Sequence, residues 1–292
     1  MSDLQRVQAN DPDLEEVYIE EGDDDNMLDF RLALRDNTVI KKLYIGTVYL
    51  IDDDMEMLVE SAMPLEELTL VDNGMIKERL RDLRNVFMAK TMLTTVEIRE
   101  NNVDSDTLRT ICLGLTHCKD LDTLFLESNK IGSAGGMVLA QLLRTNPKLA
   151  YLDLKSNELD DDAVIDLCTG IGPDSNLREL SLSQNKLHGE AYAALGHMLS
   201  LNTNLNILEL DGGMPQSSGV SSLCRGLVEN NTLSVLTLAQ NNLGDVDMLV
   251  LCHYSPRMNL VKLNLGDNAF GEVGAKKLFS VMASNTSLEG LD

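Results

Sequence analysis

The sequence predicts an α/β solenoid, a stack of strand-plus-helix units, on three observations. The first is a period. LDTLFLESNKI, from Leu121 to Ile131, starts again as LAYLDLKSNEL at Leu149 and as LRELSLSQNKL at Leu177, 28 residues on each time. Self-similarity at such a spacing marks a repeat architecture. The second is a change of pattern inside each unit: positions three to seven alternate apolar and polar, as a short strand does, and the second half has helical spacing. The third is a polar column, asparagine at position nine: Asn73, Asn101, Asn129, Asn157, Asn185, Asn241 and Asn268.

Taken in order, residues 1–13 precede the first frame. Ser2 can cap a short helix carrying Leu4 and Val7 that ends before Pro12, forming either an N-terminal lid or a frayed tail. Frames then start at Leu14, Ile40, Leu65, Leu93, Leu121, Leu149, Leu177, Leu205, Leu233 and Leu260, and an eleventh opens at Leu288. Residues 14–292 therefore read as a single solenoid of about ten repeats plus a partial eleventh. The first two frames, Leu14-Val17-Ile19 and Ile40-Leu43-Ile45, are short and degenerate, as terminal repeats are.

Each strand must return to the next parallel strand by a long crossover, which the helical half supplies. In AGGMVLAQLL (134–143), Met137, Leu139, Ala140, Leu142 and Leu143 are expected on the inner side. Asn202, Asn230 and Asn285 follow such helices and mark turns. Asp52-Asp53-Asp54 and Asp160-Asp161-Asp162 suit helix starts, where carboxylates favour the dipole. They lack the spaced ligands, glycine turn and distal glutamate of a calcium loop.

No unit can bury its leucines alone. About five such side chains per interface give roughly 8–15 kcal/mol gross, most of it offsetting chain ordering. The position-nine amide both donates and accepts, so a column of them can tie turn backbones of neighbouring units together as a structural asparagine ladder. Gly22, Val48 and Gly213 interrupt the column. Gly212-Gly213-Met214-Pro215 reads either as a rim loop with a binding role or as tolerated drift.

Composition bounds the function. With 24 basic and 47 acidic residues the net charge is −23, which disfavours nucleic acid and anionic membrane as partners, because both need Lys and Arg to replace counterions. It suits a protein with a basic or mixed-charge surface. The first residues carry no basic segment followed by an apolar one, and no apolar run is long enough to span a membrane.

Cys112, Cys168, Cys224 and Cys252 share one repeat position, a helix-packing distance of about 8–10 Å apart, too far for disulfides. With Cys118 they read as reduced thiols of a cytoplasmic protein, a nuclear one being the alternative. Asn230-Asn231-Thr232 and Asn285-Thr286-Ser287 fit the glycosylation pattern but are read as loop chemistry.

A 28-residue unit of strand plus full helix resembles the ribonuclease-inhibitor-like subfamily of leucine-rich repeats. Its members include ribonuclease inhibitor, the sensor domains of NOD-like receptors, tropomodulin and the Ran GTPase-activating protein. The resemblance runs from residue 14 to 292. It implies a right-handed horseshoe with a concave parallel β-sheet and outer helices, and binding of another protein by the concave surface and its rim. Fold alone does not assign a ligand.

Alternate strand residues face outward, so positions three, five and seven should line that surface. There Phe125 and Tyr151 stand beside Glu97, Arg99, Glu127, Asp153 and Lys155, an aromatic and charged group of hot-spot type, against a background of ordinary solvent-facing variety. The run from Asp11 to Asp25 holds nine acidic residues and reads as a solvated end or a lure for a basic partner.

His117, His188, His197 and His253 make no metal spacing, no nucleophile–base set is evident, and no glycine-rich phosphate loop occurs. The reading is a non-enzymatic protein-binding module with no cofactor and no metal. Two alternatives are a GTPase regulator similar to the Ran GTPase activator and the repeat portion of a larger sensor or adaptor. The Leu288–Asp292 edge would expose leucines and invite self-association, unless the chain continues.

Overall fold

Alternation places Leu124 and Leu126, and their counterparts in every frame, on one side of a short strand, where both are fully buried. Side chains between them point the other way. The computed structural model describes residues 2–20, 27–282 and 288–291. It forms two compact units, Met1–Lys130 and Ile131–Asp292.

The first unit runs α1 (Asp3–Gln8), β1 (Glu16–Ile19), α2 (Met27–Arg35), β2 (Lys42–Gly46), α3 (Asp52–Glu60), β3 (Glu67–Val71), α4 (Lys77–Ala89), β4 (Thr95–Arg99), α5 (Ser105–Leu115) and β5 (Thr123–Phe125). Its strands pair in chain order, all parallel, with frame positions in register: Leu68 opposite Val96, and Val96 opposite Leu124.

The second unit runs α6 (Gly135–Thr145), β6 (Tyr151–Asp153), α7 (Asp161–Cys168), β7 (Glu179–Ser181), α8 (Gly189–Leu201), β8 (Ile207–Glu209), α9 (Gln216–Glu229), β9 (Val235–Thr237), α10 (Asp245–Tyr254), β10 (Lys262–Asn264), α11 (Glu272–Met282) and β11 (Gly290–Leu291). Again each strand pairs with the next, parallel. In both units leucines from strands and helices form the core, and every repeat covers one side of its neighbour.

The caps follow local chemistry. The Ser2 side chain accepts from Gln5 N and starts α1, whose Val7 is buried. Asp104 and Asp160 cap α5 and α7. Asp52, Asp53 and Asp54 form the first turn of α3; Asp54 is buried, accepts from Ile51 N at 2.7 Å and pairs with Arg31 at 2.6 Å.

The asparagine column bonds in one way along each unit. Asn129 Nδ2 donates to Ile98 O (2.7 Å) and Leu126 O (2.9 Å), while its Oδ1 accepts from Asn101 N (3.1 Å) and Val103 N (3.0 Å). Asn185 does the same with Leu154 O, Leu182 O, Asn157 N and Leu159 N. Asn268 bonds Leu238 O, Leu265 O, Asn241 N and Leu243 N. Asn101 links Leu70 O to Asn73 N. Asn157 Nδ2 reaches Lys155 O. Asn73 Nδ2 reaches Ile45 O and Val48 O, but its buried Oδ1 has no partner. That orphan lies where Val48 replaces the preceding asparagine.

The residue before this column is left-handed in frame after frame: φ is 55° at Thr47, 47° at Asp72, 58° at Ser128, 57° at Gln184 and 57° at Gln240. In the sixth regular frame Gly212 takes the position at φ 79°. Gly213 then keeps the ladder register, its N–H bonding Asn241 Oδ1 at 3.1 Å. The Gly-Gly pair is therefore no bulging loop. Gly213 leaves room for Tyr192 of α8, whose hydroxyl reaches Leu210 O (3.2 Å) and Asn241 Oδ1, standing in for the missing amide.

A second polar column, three residues before each frame, was visible in the sequence only as turn markers. Asn37, Asn202 and Asn230 are buried there, each donating to a carbonyl 30 or 31 residues earlier and accepting N–H groups at the next frame's start. Lys90 and Cys118 occupy the same column with other chemistry. Lys90 Nζ donates to Ser61 O, and Cys118 Sγ donates to Phe87 O and Lys90 O. Burial pushes the Lys90 amine below its ordinary value. Asn285, the same column's next member, lies outside the described residues, as does Gly22.

Two expectations are corrected. Met137 is exposed and Val138 is buried. α6 is set by Gly136, which lies so close to the Ala163 carbonyl that a Cβ would collide with it, and this turns the neighbouring Met137 away. Ser181 and Ser183 are on the outward-facing positions but only 5% and 4% exposed.

Candidate functional site

Strands this short present only two or three outward side chains each, so a surface on the face away from the helices is assembled from several repeats. In the first unit Glu97 and Arg99 come from β4, Phe125 from β5 and Glu127 from just beyond it. Arg99 Nε lies 2.9 Å from Glu97 Oε1, and its Nη1 lies 3.6 Å from Glu127 Oε2. Its guanidinium stands 4.9 Å from the centre of the Phe125 ring. These four predicted residues are together, half-buried, and held by one ion pair along β4, one from Arg99 to Glu127 and a cation–π contact.

The same face carries residues that the sequence placed on it without joining them. The Tyr18 and Tyr44 rings are 5.4 Å apart, Tyr18 donates to Glu16, and Lys42 pairs with Glu67 at 2.7 Å. The hydrogen bond to Glu16 raises the Tyr18 phenol above its ordinary value. The signal was the pair of tyrosines at position five in successive frames.

In the second unit Tyr151 and Asp153 lie on β6 and Lys155 just beyond its end. Tyr151 is 37% exposed, and Asp153 Oδ1 accepts from Lys155 N at 2.9 Å. The register extends this surface to residues that sequence reasoning did not single out: Tyr151 aligns with Glu179 and Ile207, and Asp153 with Ser181 and Glu209. A hollow beside Tyr151 is lined by Arg178, Glu179, Asn204, Asn206 and Ile207. Partial burial raises the Glu179 carboxyl above the usual carboxylate range, and Glu209 and Asp153 add to the effect.

Towards the N-terminus several charged groups pair. Asp11 bonds Arg6 at 2.7 Å, which holds its carboxyl below the usual range, and Glu15 pairs with Lys41 at 2.7 Å. Glu21, Asp23, Asp24 and Asp25 of the acidic run lie outside the described residues. Among the described residues no three His, Cys, Asp or Glu side chains are grouped to hold a metal ion, and no helix is long and apolar enough to cross a membrane. All five cysteines are free, and burial pushes the thiols of Cys112, Cys118, Cys168 and Cys224 up to about 12.

Known proteins resemble this arrangement. A family model described as Leucine Rich repeat matches residues 145–168, 229–252 and 258–279, and a second of that description matches 176–198. NACHT, LRR and PYD domains-containing protein 3 of Rattus norvegicus is 32% identical over 146 residues, 48% of this chain and 14% of the relative. Ribonuclease inhibitor of Mus musculus is 26% identical over 239 residues, 80% of this chain and 46% of the relative. The chain thus spans less than half the length of these relatives.

Among solved structures, an internalin of Listeria monocytogenes superimposes with a TM-score of 0.54 at 18% identity, over 89% of this chain and 76% of its own. One from the yeast Rad7 and Elc1 complex gives 0.51 at 15%, over 88% and 71%. Such identities speak for the fold alone. Period, parallel strands and relatives agree: the chain belongs to the leucine-rich repeat proteins, of the ribonuclease-inhibitor-like kind.

Proposed function

We propose that the chain is a non-catalytic interaction module that docks a protein partner on the open faces of its sheets. The observation that carries this reading is the Arg99 group. A phenylalanine ring stands on the face away from the helices, against a guanidinium that two carboxylates hold in place. Such a rigid aromatic and charged cluster offers area and directional bonds at little ordering cost to a partner. Tyr151 offers the same on the second unit.

The partner's surface is basic or mixed in charge, in keeping with a net charge of −23. The five free thiols suit a reducing compartment such as the cytoplasm. The relatives, ribonuclease inhibitor among them, support a binding role.

The test is affinity capture with the immobilised full chain, comparing the unaltered protein with Phe125→Ala, Tyr151→Ala and the double variant. Partner retention falls in each variant while the melting temperature stays nearly constant. An identical set of captured proteins in all four samples would refute the assignment of the face.

A further inference from the structure

The helices of the second unit gather cations around one tyrosine. Tyr254 ends α10, half-buried, and Ser255–Arg257 add one 3-10 turn. That turn brings Arg257 back over the Tyr254 ring, its guanidinium 5.2 Å from the ring centre. The His253 ring stands nearly perpendicular to the same ring, at 84°, with 5.0 Å between centres. On α9, Arg225 and Ser221 lie one turn apart, Nη2 to Oγ 3.3 Å, and both meet the Tyr254 phenol oxygen. Arg225, His253 and Arg257 are exposed.

This grouping runs against the composition. Acidic residues outnumber basic ones 47 to 24, and Arg6, Arg31, Arg35, Arg79 and Arg99 each face a carboxylate. Among the described residues Arg225 and Arg257 have no ion pair. Two guanidiniums held against one ring repel each other until an anion joins them. The hydrogen bond from Arg225, and then that of Ser221, lowers the Tyr254 phenol below its ordinary value, with no carboxylate among the groups responsible. The place favours negative charge.

We propose that this cluster seats one phosphate monoester carried on a side chain of a protein partner, with the forks of Arg225 and Arg257 on its oxygens and the Ser221 and Tyr254 hydroxyls donating beside them. The site lies on the helices and does not depend on docking at the open sheet faces. A phosphate monoester offers three acceptor oxygens and about two negative charges, which suits two planar forks better than the single charge of a carboxylate. Charge also narrows the source. Nucleic acid and anionic membrane bring many charges at once against a chain of net −23, whereas one phosphorylated side chain brings a single dianion. The cluster is open to water, so a free ion gains little there, and a phosphate delivered on a protein surface is held by the surrounding contacts as well.

The probe is the peptide acetyl-Gly-Gly-phosphoserine-Gly-Gly-amide, titrated into the nitrogen-15-labelled full chain. Peptides with serine or glutamate in place of phosphoserine are the controls, beside inorganic phosphate and phosphatidylcholine–phosphatidic acid vesicles. Shifts centre on the amides of 221–225 and 253–257 and on the arginine Nε–H signals. The serine peptide produces none and the glutamate peptide binds more weakly. The Arg225→Gln/Arg257→Gln variant binds about ten-fold more weakly or worse, the size of a lost charge-assisted hydrogen bond. Its melting temperature is unchanged, because both side chains are exposed. Arg225→Lys/Arg257→Lys, which keeps the charge and loses the forks, falls between the two.

Equal affinity for the Gln variant, equal binding of the glutamate peptide, shifts spread over the molecule, or no binding of the phosphopeptide would each overturn the proposal. Tighter binding of inorganic phosphate or of the vesicles than of the peptide would overturn it in favour of a free ion or a membrane. None of these outcomes bears on the docking reading, which the Phe125 and Tyr151 variants test.

Discussion

Tyr192→Phe removes one oxygen from the second unit's core, and the structure fixes how much that should matter. The side chain is fully buried, and its hydroxyl lies within bonding distance of Leu210 O and Asn241 Oδ1. Neither partner is stranded by the change. Leu210 O keeps the Asn241 Nδ2 hydrogen bond at 2.9 Å, and Asn241 Oδ1 keeps the Gly213 N–H at 3.1 Å. The loss is therefore one net hydrogen bond, about 1 kcal/mol.

Asn185→Ala is the contrast. It leaves the buried Asn157 and Leu159 N–H groups without their acceptor, at about 1–3 kcal/mol each, and so costs about 2–6 kcal/mol. The chain has no tryptophan, so urea unfolding is followed by far-ultraviolet circular dichroism. Equal losses from the two variants would refute the redundancy argument, and no loss from Tyr192→Phe would show that the hydroxyl does not replace the missing amide. Gly213→Ala, which drives a methyl into the Tyr192 hydroxyl, should be destabilising alone and much less so beside Tyr192→Leu.

Three further outcomes follow from the packing. A Cβ at Gly226 collides with the Gly196 carbonyl, so Gly226→Ala forces α8 and α9 apart and should lower the unfolding midpoint more than Gly172→Ala, whose added Cβ meets open space. Ser156 holds φ 55°; Ser156→Gly should be neutral or stabilising by up to about 1 kcal/mol, whereas Ser156→Val should cost about 1–2 kcal/mol, and the reverse order in urea would contradict a left-handed turn there.

The buried thiols at about 12, and Tyr192 raised in the same direction, keep their protons in the folded chain after the unfolded chain has lost them. Their contribution is complete below the unfolded thiol value near 9 and falls as pH rises towards 12. Lys90 and Tyr254, lowered instead, act in the opposite sense and are outnumbered. The urea midpoint should thus be lower at about pH 10.5 than at about pH 8, and a flat profile would contradict the burial of these thiols.

The sequence by itself determined the repeat, because a period-two strand and a 3.6-period helix at fixed spacing leave one way to bury the leucines of successive units. It also placed Glu97, Arg99, Phe125, Glu127, Tyr151, Asp153 and Lys155 on outward positions, since alternation alone decides which side of a strand a residue faces. What it could not supply was anything decided between chain-distant side chains. The Arg99–Phe125 stacking and its two ion pairs depend on rotamers across neighbouring strands. The exposure of Met137 depends on how α6 rolls against the Ala163 backbone.

Ser181 looks like any solvent-facing serine, yet the fold buries it. Tyr192 reads as one more core aromatic on a helix, and Gly213 as a lapse in the column, until the fold brings the hydroxyl and the gap together. Lys90 and Cys118 likewise enter the second polar column only through the carbonyls they meet there. Periodicity is local and is written in each repeat. The satisfaction of buried polar groups belongs to pairs of repeats, and only the tertiary structure assembles those pairs.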